Sequence, residues 1–109
     1  MMIRTVLALK PKTGQADAVV DLFEAEGIVE RALTVEGCLG VEVWTGPDEV
    51  LVVGTWTDAR AYQDWIEHPR RNSNNGALNE LLEVPITAHS RGGCYALALF
   101  GGKVTEGWS

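Results

Sequence analysis

The chain holds few of the residues that bind metals, nucleic acids or membranes. It has two cysteines and two histidines in 109 residues. Cys38 and Cys94 lack CxxC spacing and do not combine with His68 and His89 into a zinc signature, so no metal is expected and both thiols are expected reduced and partly buried. Fifteen acidic residues against nine basic give a formal net charge of −6, without the basic footprint that nucleic acid or an anionic membrane requires. The only basic cluster is Arg70-Arg71. No apolar run approaches the roughly 20 residues that span a bilayer, and no charged stretch followed by an apolar one opens the chain, so a cytoplasmic location is expected. A P-loop, a GxGxxG turn after a strand and a nucleophile elbow are all missing, and no cofactor is expected.

What is present is concentrated between Gly37 and Pro69, which carries three of the four tryptophans. Gly46-Pro47-Asp48 is turn chemistry, because proline presets φ and Asp48 can bond the backbone beyond it. Strands are therefore predicted at about 38 to 45 and 50 to 57. The second of these has no charge, which predicts a strand covered on both faces. Asp58 is placed to cap a helix whose apolar face is Tyr62, Trp65 and Ile66. Pro69 interrupts this region, Asn72 to Gly76 reads as a loop, and Leu78, Leu81 and Leu82 resume helical spacing.

Upstream, Ile3, Thr5, Leu7 and Leu9 alternate with Arg4, Val6 and Ala8, the period of a first strand. Val19, Leu22, Phe23, Val29 and Leu33 recur at steps of three and four, predicting one amphipathic helix with a kink or close packing at Gly27. The uncharged run Cys94 to Phe100 predicts the last strand. The order β-α-β-β-α-β defines an α+β, ferredoxin-like domain over residues 1–102, two helices on one face of a four-stranded antiparallel sheet, with residues 103–109 as a C-terminal tail expected to be mobile. The strands are apolar on both sides, yet one chain has helix enough for only one face. A homodimer through the open sheet face, closing an α+β barrel, is the expected arrangement. Trp44, beside the turn, is expected at that interface or on the sheet surface.

Glu36-Gly37-Cys38-Leu39-Gly40 entering the second strand, Gly54-Thr55-Trp56-Thr57-Asp58 ending the third, and Ala61-Tyr62-Gln63-Asp64-Trp65 leading to His68-Pro69 together resemble the antibiotic biosynthesis monooxygenase superfamily of dimeric α+β barrels. The resemblance covers nearly the whole chain. It implies a cofactor-independent monooxygenase acting on a small hydrophobic aromatic molecule, polyketide-like or phenolic. A non-catalytic small-molecule-binding or accessory protein is the alternative within the same fold, and a haem-binding or haem-degrading protein the third. Trp65 corresponds to the helix tryptophan of the haem-degrading branch, and Asn74 stands where that branch places an iron-binding histidine. Trp56 corresponds to the tryptophan that ends strand three in the quinone-forming oxygenases, and Val52 stands at their nearby asparagine.

Cofactor-free oxygenation of a phenol needs a base, a hydrogen-bond donor for the resulting anions, and apolar walls. His68, with a reference pKa of about 6.5, is the candidate base. Trp56 is placed with it as a catalytic residue. Trp65 and Tyr62 are candidate substrate-binding walls, Asn72 and Asn74, with Asn75 beside them, candidate amide donors, and Arg70, with Arg71 beside it, a candidate attractor of an acidic substrate. The structural alternative for each is ordinary packing, capping or solvation.

Overall fold

Four strands, β1 (Ile3–Leu9), β2 (Cys38–Thr45), β3 (Val50–Trp56) and β4 (Gly93–Ala96), form one antiparallel sheet in the order β2-β3-β1-β4 in the computed structural model, which describes residues 1–102. The predicted tail, 103–109, lies outside the described residues. Helices α1 (Ala16–Ala25), α2 (Ile28–Leu33), α3 (Ala59–Ile66) and α4 (Asn75–Leu81) complete the ferredoxin-like order. No helix among the described residues is long and apolar enough to cross a membrane.

Register gives each sheet face its character. Ile3 pairs with Trp56, Thr5 with Gly54, Leu7 with Val52 and Leu9 with Val50. Because opposed residues share a face, these pairs line the side under the helices. Arg4, Val6 and Ala8 pair with Thr55, Val53 and Leu51 on the other side. There Leu51 and Val53 are half-buried and Trp44 is exposed, with no layer over them among the described residues. The β3 strand, predicted to be covered on both faces, is thus covered on one within a single chain.

The inner face packs as two groups. Ile3, Trp56, Ala61, Tyr62, Trp65 and Ile66 form one with Ala32 of α2. Leu9, Val50, Val19, Phe23, Leu78 and Leu82 form the other. Between them runs the sheet row Cys94, Thr5, Gly54, Val41, joined by direct pairing. Its side chains are small, so the two groups do not close on one another, and the space between them is the site described below.

Three elements differ from the sequence expectation, the smallest difference being that α4 takes in Asn75 and Gly76 from the end of the stretch expected as a loop. The long first helix is two helices, because Gly27 takes a left-handed φ of 61° with nothing within 4 Å of an added Cβ. Its freedom of backbone, not close packing, explains the glycine. The last strand is Gly93–Ala96 rather than Cys94 to Phe100, since β1 offers partners only from Ile3 to Val6. Cys94 is exposed there and Cys38 is half-buried, both free thiols. Burial pushes the Cys38 thiol up, favouring its protonated form.

The entry to α3 follows from Asp58, whose carboxylate accepts from Ala61 N–H at 3.0 Å. Gly37 brings β2 against the same turn. Its φ is 92°, its carbonyl accepts from Thr57 N–H at 2.8 Å, and an added Cβ would lie 2.6 Å from Thr57 Oγ1 and 2.7 Å from Ala61 Cβ. Both Gly27 and Gly37 carry the left-handed penalty on replacement by alanine, but only Gly37 adds collision. Gly37→Ala is therefore expected to lose about 1–3 kcal/mol more than Gly27→Ala in urea unfolding. Equal losses would show that the contact with Thr57 and Ala61 is readily relieved.

Candidate functional site

The aromatic wall of the cavity begins with a glycine. An added Cβ at Gly54 would meet Trp56 Nε1 at 2.5 Å and Thr5 Oγ1 at 3.0 Å, so only the bare backbone lets the indole fold back over β3. Trp56 Nε1 then donates to Thr5 Oγ1 at 3.0 Å, with both side chains buried. This satisfies the one polar atom of a side chain 2% exposed. Tyr62 packs on Trp56 with ring centroids 5.3 Å apart and planes inclined by 52°. Trp65, one turn along α3, completes the wall.

The cavity behind this wall leaves about 80 Å³ for the centres of water-sized molecules, within about 750 Å³ of unoccupied space that includes its open mouth. One water needs roughly 10–15 Å³ on the same measure, so several waters or an aromatic ring fit. Leu7, Leu9 and Val52 floor it from the sheet, and Phe23, Ile28 and Val29 roof it from α1 and α2. Polar groups gather at one end, where Arg71 and Asn74 reach in from the segment joining α3 to α4 and Asn75 from the first residue of α4. Among the described residues no Asp, Glu, His, Lys or Cys lines it.

Hydrogen bonds orient these polar groups. Arg31 of α2 donates to the Arg70 carbonyl at 3.0 Å, to Ser73 Oγ at 3.2 Å and to Asn74 Oδ1 at 3.4 Å, and also to the Glu26 carbonyl. A guanidinium can only donate, so the Asn74 oxygen faces Arg31 and its NH2 is left for other acceptors. Arg71 donates to the Ser90 carbonyl at 2.6 Å and to Asn72 Oδ1 at 3.4 Å. Asn72 Oδ1 also accepts from Asn75 Nδ2 at 3.0 Å. Burial lowers the proton affinity of Arg71; Tyr62 opposes this and Arg91 adds to it. As an arginine it stays charged at any working pH. Tyr62 Oη accepts from Gly92 N–H at 2.7 Å, which leaves the phenolic O–H to donate. Arg91 lies over the Tyr62 ring, 5.5 Å from its centroid.

The structure divides the sequence-predicted residues. Trp56, Trp65, Tyr62 and Asn74 meet in the cavity. His68 and Asn72 do not line it but a shallower groove with Gln63, Glu67, His89 and Arg91. The His68 ring lies against Trp65 at 5.6 Å, and its Nδ1 accepts from Arg70 N–H at 3.1 Å, the local bond expected of a histidine before a proline turn. Arg70 is exposed and lines neither space; its neighbour Arg71 is the one turned inward. Asn75, named with Asn72 and Asn74 as an amide donor at the mouth, also lines the cavity, whereas sequence reasoning passed over Thr5 and Ile86. Only Thr5 carried a signal, as the polar member of an apolar strand face. Among the described residues no three His, Cys, Asp or Glu side chains stand close enough to hold a metal.

A four-stranded antiparallel sheet with helices on one face and an apolar cavity between the layers defines a small α+β domain of ferredoxin-like fold. The chain belongs to the antibiotic biosynthesis monooxygenase family, whose pattern matches residues 2–71. Among solved structures it is similar to a variant of SnoaB, a cofactor-independent oxygenase from Streptomyces nogalater, at 14% identity and a TM-score of 0.69, covering 91% of this chain and 95% of that one. A conserved protein from Methanosarcina mazei Go1 matches at 19% identity and a TM-score of 0.69, over 87% of this chain and 91% of the other. Rv0793 from Mycobacterium tuberculosis matches at 14% identity and 0.66, over 94% and 98%. At such identities the likeness establishes the fold. No curated protein matches by sequence.

The Thr5 to Trp56 bond can be tested by a double-mutant cycle. Thr5→Val strands a buried indole N–H and is expected to cost about 1–3 kcal/mol in urea unfolding, whereas in a Trp56→Phe background, which has no N–H, the same change should cost clearly less. Equal costs in both backgrounds would mean that the hydroxyl contributes nothing through the indole.

Proposed function

We propose that the protein is a cofactor-independent monooxygenase of a small hydrophobic aromatic phenol, acting as a homodimer in the cytoplasm. The observation that carries this reading is the apolar cavity between sheet and helices, walled by Trp56, Trp65 and Tyr62 and ended by N–H and O–H donors with no acidic group among the described lining residues. Family membership supports the reaction class. In the net conversion a ring methylene and molecular oxygen become a ring carbonyl and water. One oxygen atom enters the ring system and the other leaves as water, with the substrate supplying all the electrons that reduce them. Such a substrate must first lose a proton to become electron-rich, and both the enolate and the reduced oxygen are anions. Fixed donors in a cavity poor in water hold those anions better than bulk solvent does, because the dipoles need no reorganisation.

In this reading Trp56 and Trp65 position the ring system, and the Tyr62 O–H donates to the developing negative charge. The Trp56 N–H is committed to Thr5, so its part is that of a wall. A base must lie within hydrogen-bond reach of the proton it takes. His68 stands behind Trp65 outside the cavity, so the proton passes to water at the mouth. The absence of a base among the lining residues also favours a second reading, a binding or accessory protein that performs no chemistry. Haem fits the cavity poorly, because no imidazole, thiolate or thioether lines it.

The oxygen electrode separates the first two readings. With a hydroxylated anthrone and no added cofactor, oxygen uptake should exceed the spontaneous rate, and Trp65→Ala should lower kcat/KM by about tenfold or more through lost positioning. Ligand binding without oxygen uptake would leave only the binding-protein reading.

The open sheet face supports the dimer. It carries Val6, Leu51, Val53 and the exposed Trp44 and Tyr95, with Arg4 and Glu42 on the same face. Opposite charges within one apolar patch suit a two-fold contact, in which each copy meets the same surface of the other. Sedimentation at micromolar concentration is expected to give twice the chain mass, and Leu51→Arg to return it to the single-chain value. A wild-type protein sedimenting as one chain would remove the dimer.

A further inference from the structure

Arg71 is a half-buried cation in an otherwise apolar cavity, and it has no carboxylate partner among the described residues. Its two acceptors, the Ser90 carbonyl and the Asn72 amide oxygen, are neutral and use two of its five N–H groups. Withdrawing a guanidinium from water without a counter-charge is costly. Among the described residues the cavity supplies no acid to meet it, which leaves this position open to an anionic ligand.

We infer that the polar end of the cavity is a carboxylate site, and that the ligand is an aromatic acid whose carboxylate is held by the Arg71 guanidinium and the Asn74 amide N–H while its ring lies against Trp56 and Trp65. The inference rests on the cavity being the ligand site proposed above, but not on oxygen chemistry. Three independent features converge on it. Arg31, by claiming the Asn74 oxygen, leaves only N–H facing other acceptors, so this amide is set to meet an anion. Tyr62, whose oxygen is held by Gly92 N–H, adds an O–H donor. Basic residues are concentrated here: Arg31, Arg70, Arg71 and Arg91, four of nine in a chain of net charge −6, gather at this corner. A planar guanidinium fork matches a planar carboxylate in a narrow apolar slot better than it matches a bulky, strongly hydrated phosphate.

Arg71, Asn74 and Asn75 also lie at or beyond the end of the stretch that matches the family, residues 2–71. The aromatic wall of Trp56, Tyr62 and Trp65 lies inside that stretch.

Calorimetric titration of the purified full chain with 1-naphthoate, 1-naphthamide and inorganic phosphate tests the inference. The acid should bind about tenfold or more tightly than its neutral amide, because hydrogen bonds to an ionised carboxylate are charge-assisted. Phosphate alone should show no comparable binding. Arg71→Gln should bring acid and amide to equal affinity, Asn74→Ala should weaken the acid selectively, and Arg60→Gln, on the solvent side of α3, should keep the preference. Equal affinity of acid and amide in the wild-type protein overturns the inference whether or not any variant folds, as does failure of both to bind, or phosphate binding as well as naphthoate. A preference for the acid without oxygen uptake on any phenol would sink the oxygenase and leave the carboxylate site standing; oxygen uptake on neutral phenols with no preference for the acid would do the reverse.

Discussion

The packing of the Trp56 indole over Gly54, with its N–H bonded to Thr5, is the contact on which the rest of the structure depends. It joins β1 to β3 on the inner face and gives Tyr62 of α3 an aromatic surface to rest on. It also keeps the two halves of the core apart. A bulkier residue at position 54 would displace the indole and fill the space that is now the cavity. The small sheet row that costs the protein contacts in its middle is thus what leaves it a chamber.

Around that contact the polar groups are distributed unevenly. The floor, roof and aromatic wall are apolar, and nearly all the side-chain hydrogen bonding near the cavity lies at the end where α2, the segment after Pro69 and the approach to β4 meet. Arg31 reaches 39 to 43 residues along the sequence to tie that segment down. Because arginine only donates and asparagine does both, pairing the two fixes which way the amide faces. A set of side chains that would otherwise be interchangeable acquires a direction, and the chamber acquires a chemically distinct pole.

Legibility in the sequence followed the range of the interaction. The hairpin at Gly46-Pro47-Asp48, the Asp58 cap and the buried face of α3 are local and periodic, and residues a few positions apart announced them. The Trp56 to Thr5 bond spans 51 residues, so both partners were visible while their meeting was not. Arg70 and Arg71 show the limit most clearly. They follow the proline that ends the helical period, and without a period nothing in the sequence says which neighbour turns inward. The same loss of phase hid His68, whose chemistry is apt but whose ring packs behind Trp65. Gly27 was legible as a disturbance of the first helix, not as a left-handed residue dividing it in two.

Between α4 and β4 the chain runs from Leu82 to Gly92 with no ladder of its own, yet it is anchored at intervals. Glu83 N–H donates to the Lys10 carbonyl, the Asn79 amide pairs with both N–H and C=O of Ile86, Arg71 takes the Ser90 carbonyl, and Gly92 N–H meets Tyr62. On the segment's own side every one of these contacts is made by the main chain. Side chains add to this: Leu82 is buried in the core with Ile86 packed against it, and Ser90 Oγ and Thr87 Oγ1 accept from Thr87 and His89 N–H within the turn. The path also requires glycine at position 92, since an added Cβ there would lie 2.7 Å from the Val6 backbone, and any side chain at that point would shift the main chain that gives Tyr62 its partner.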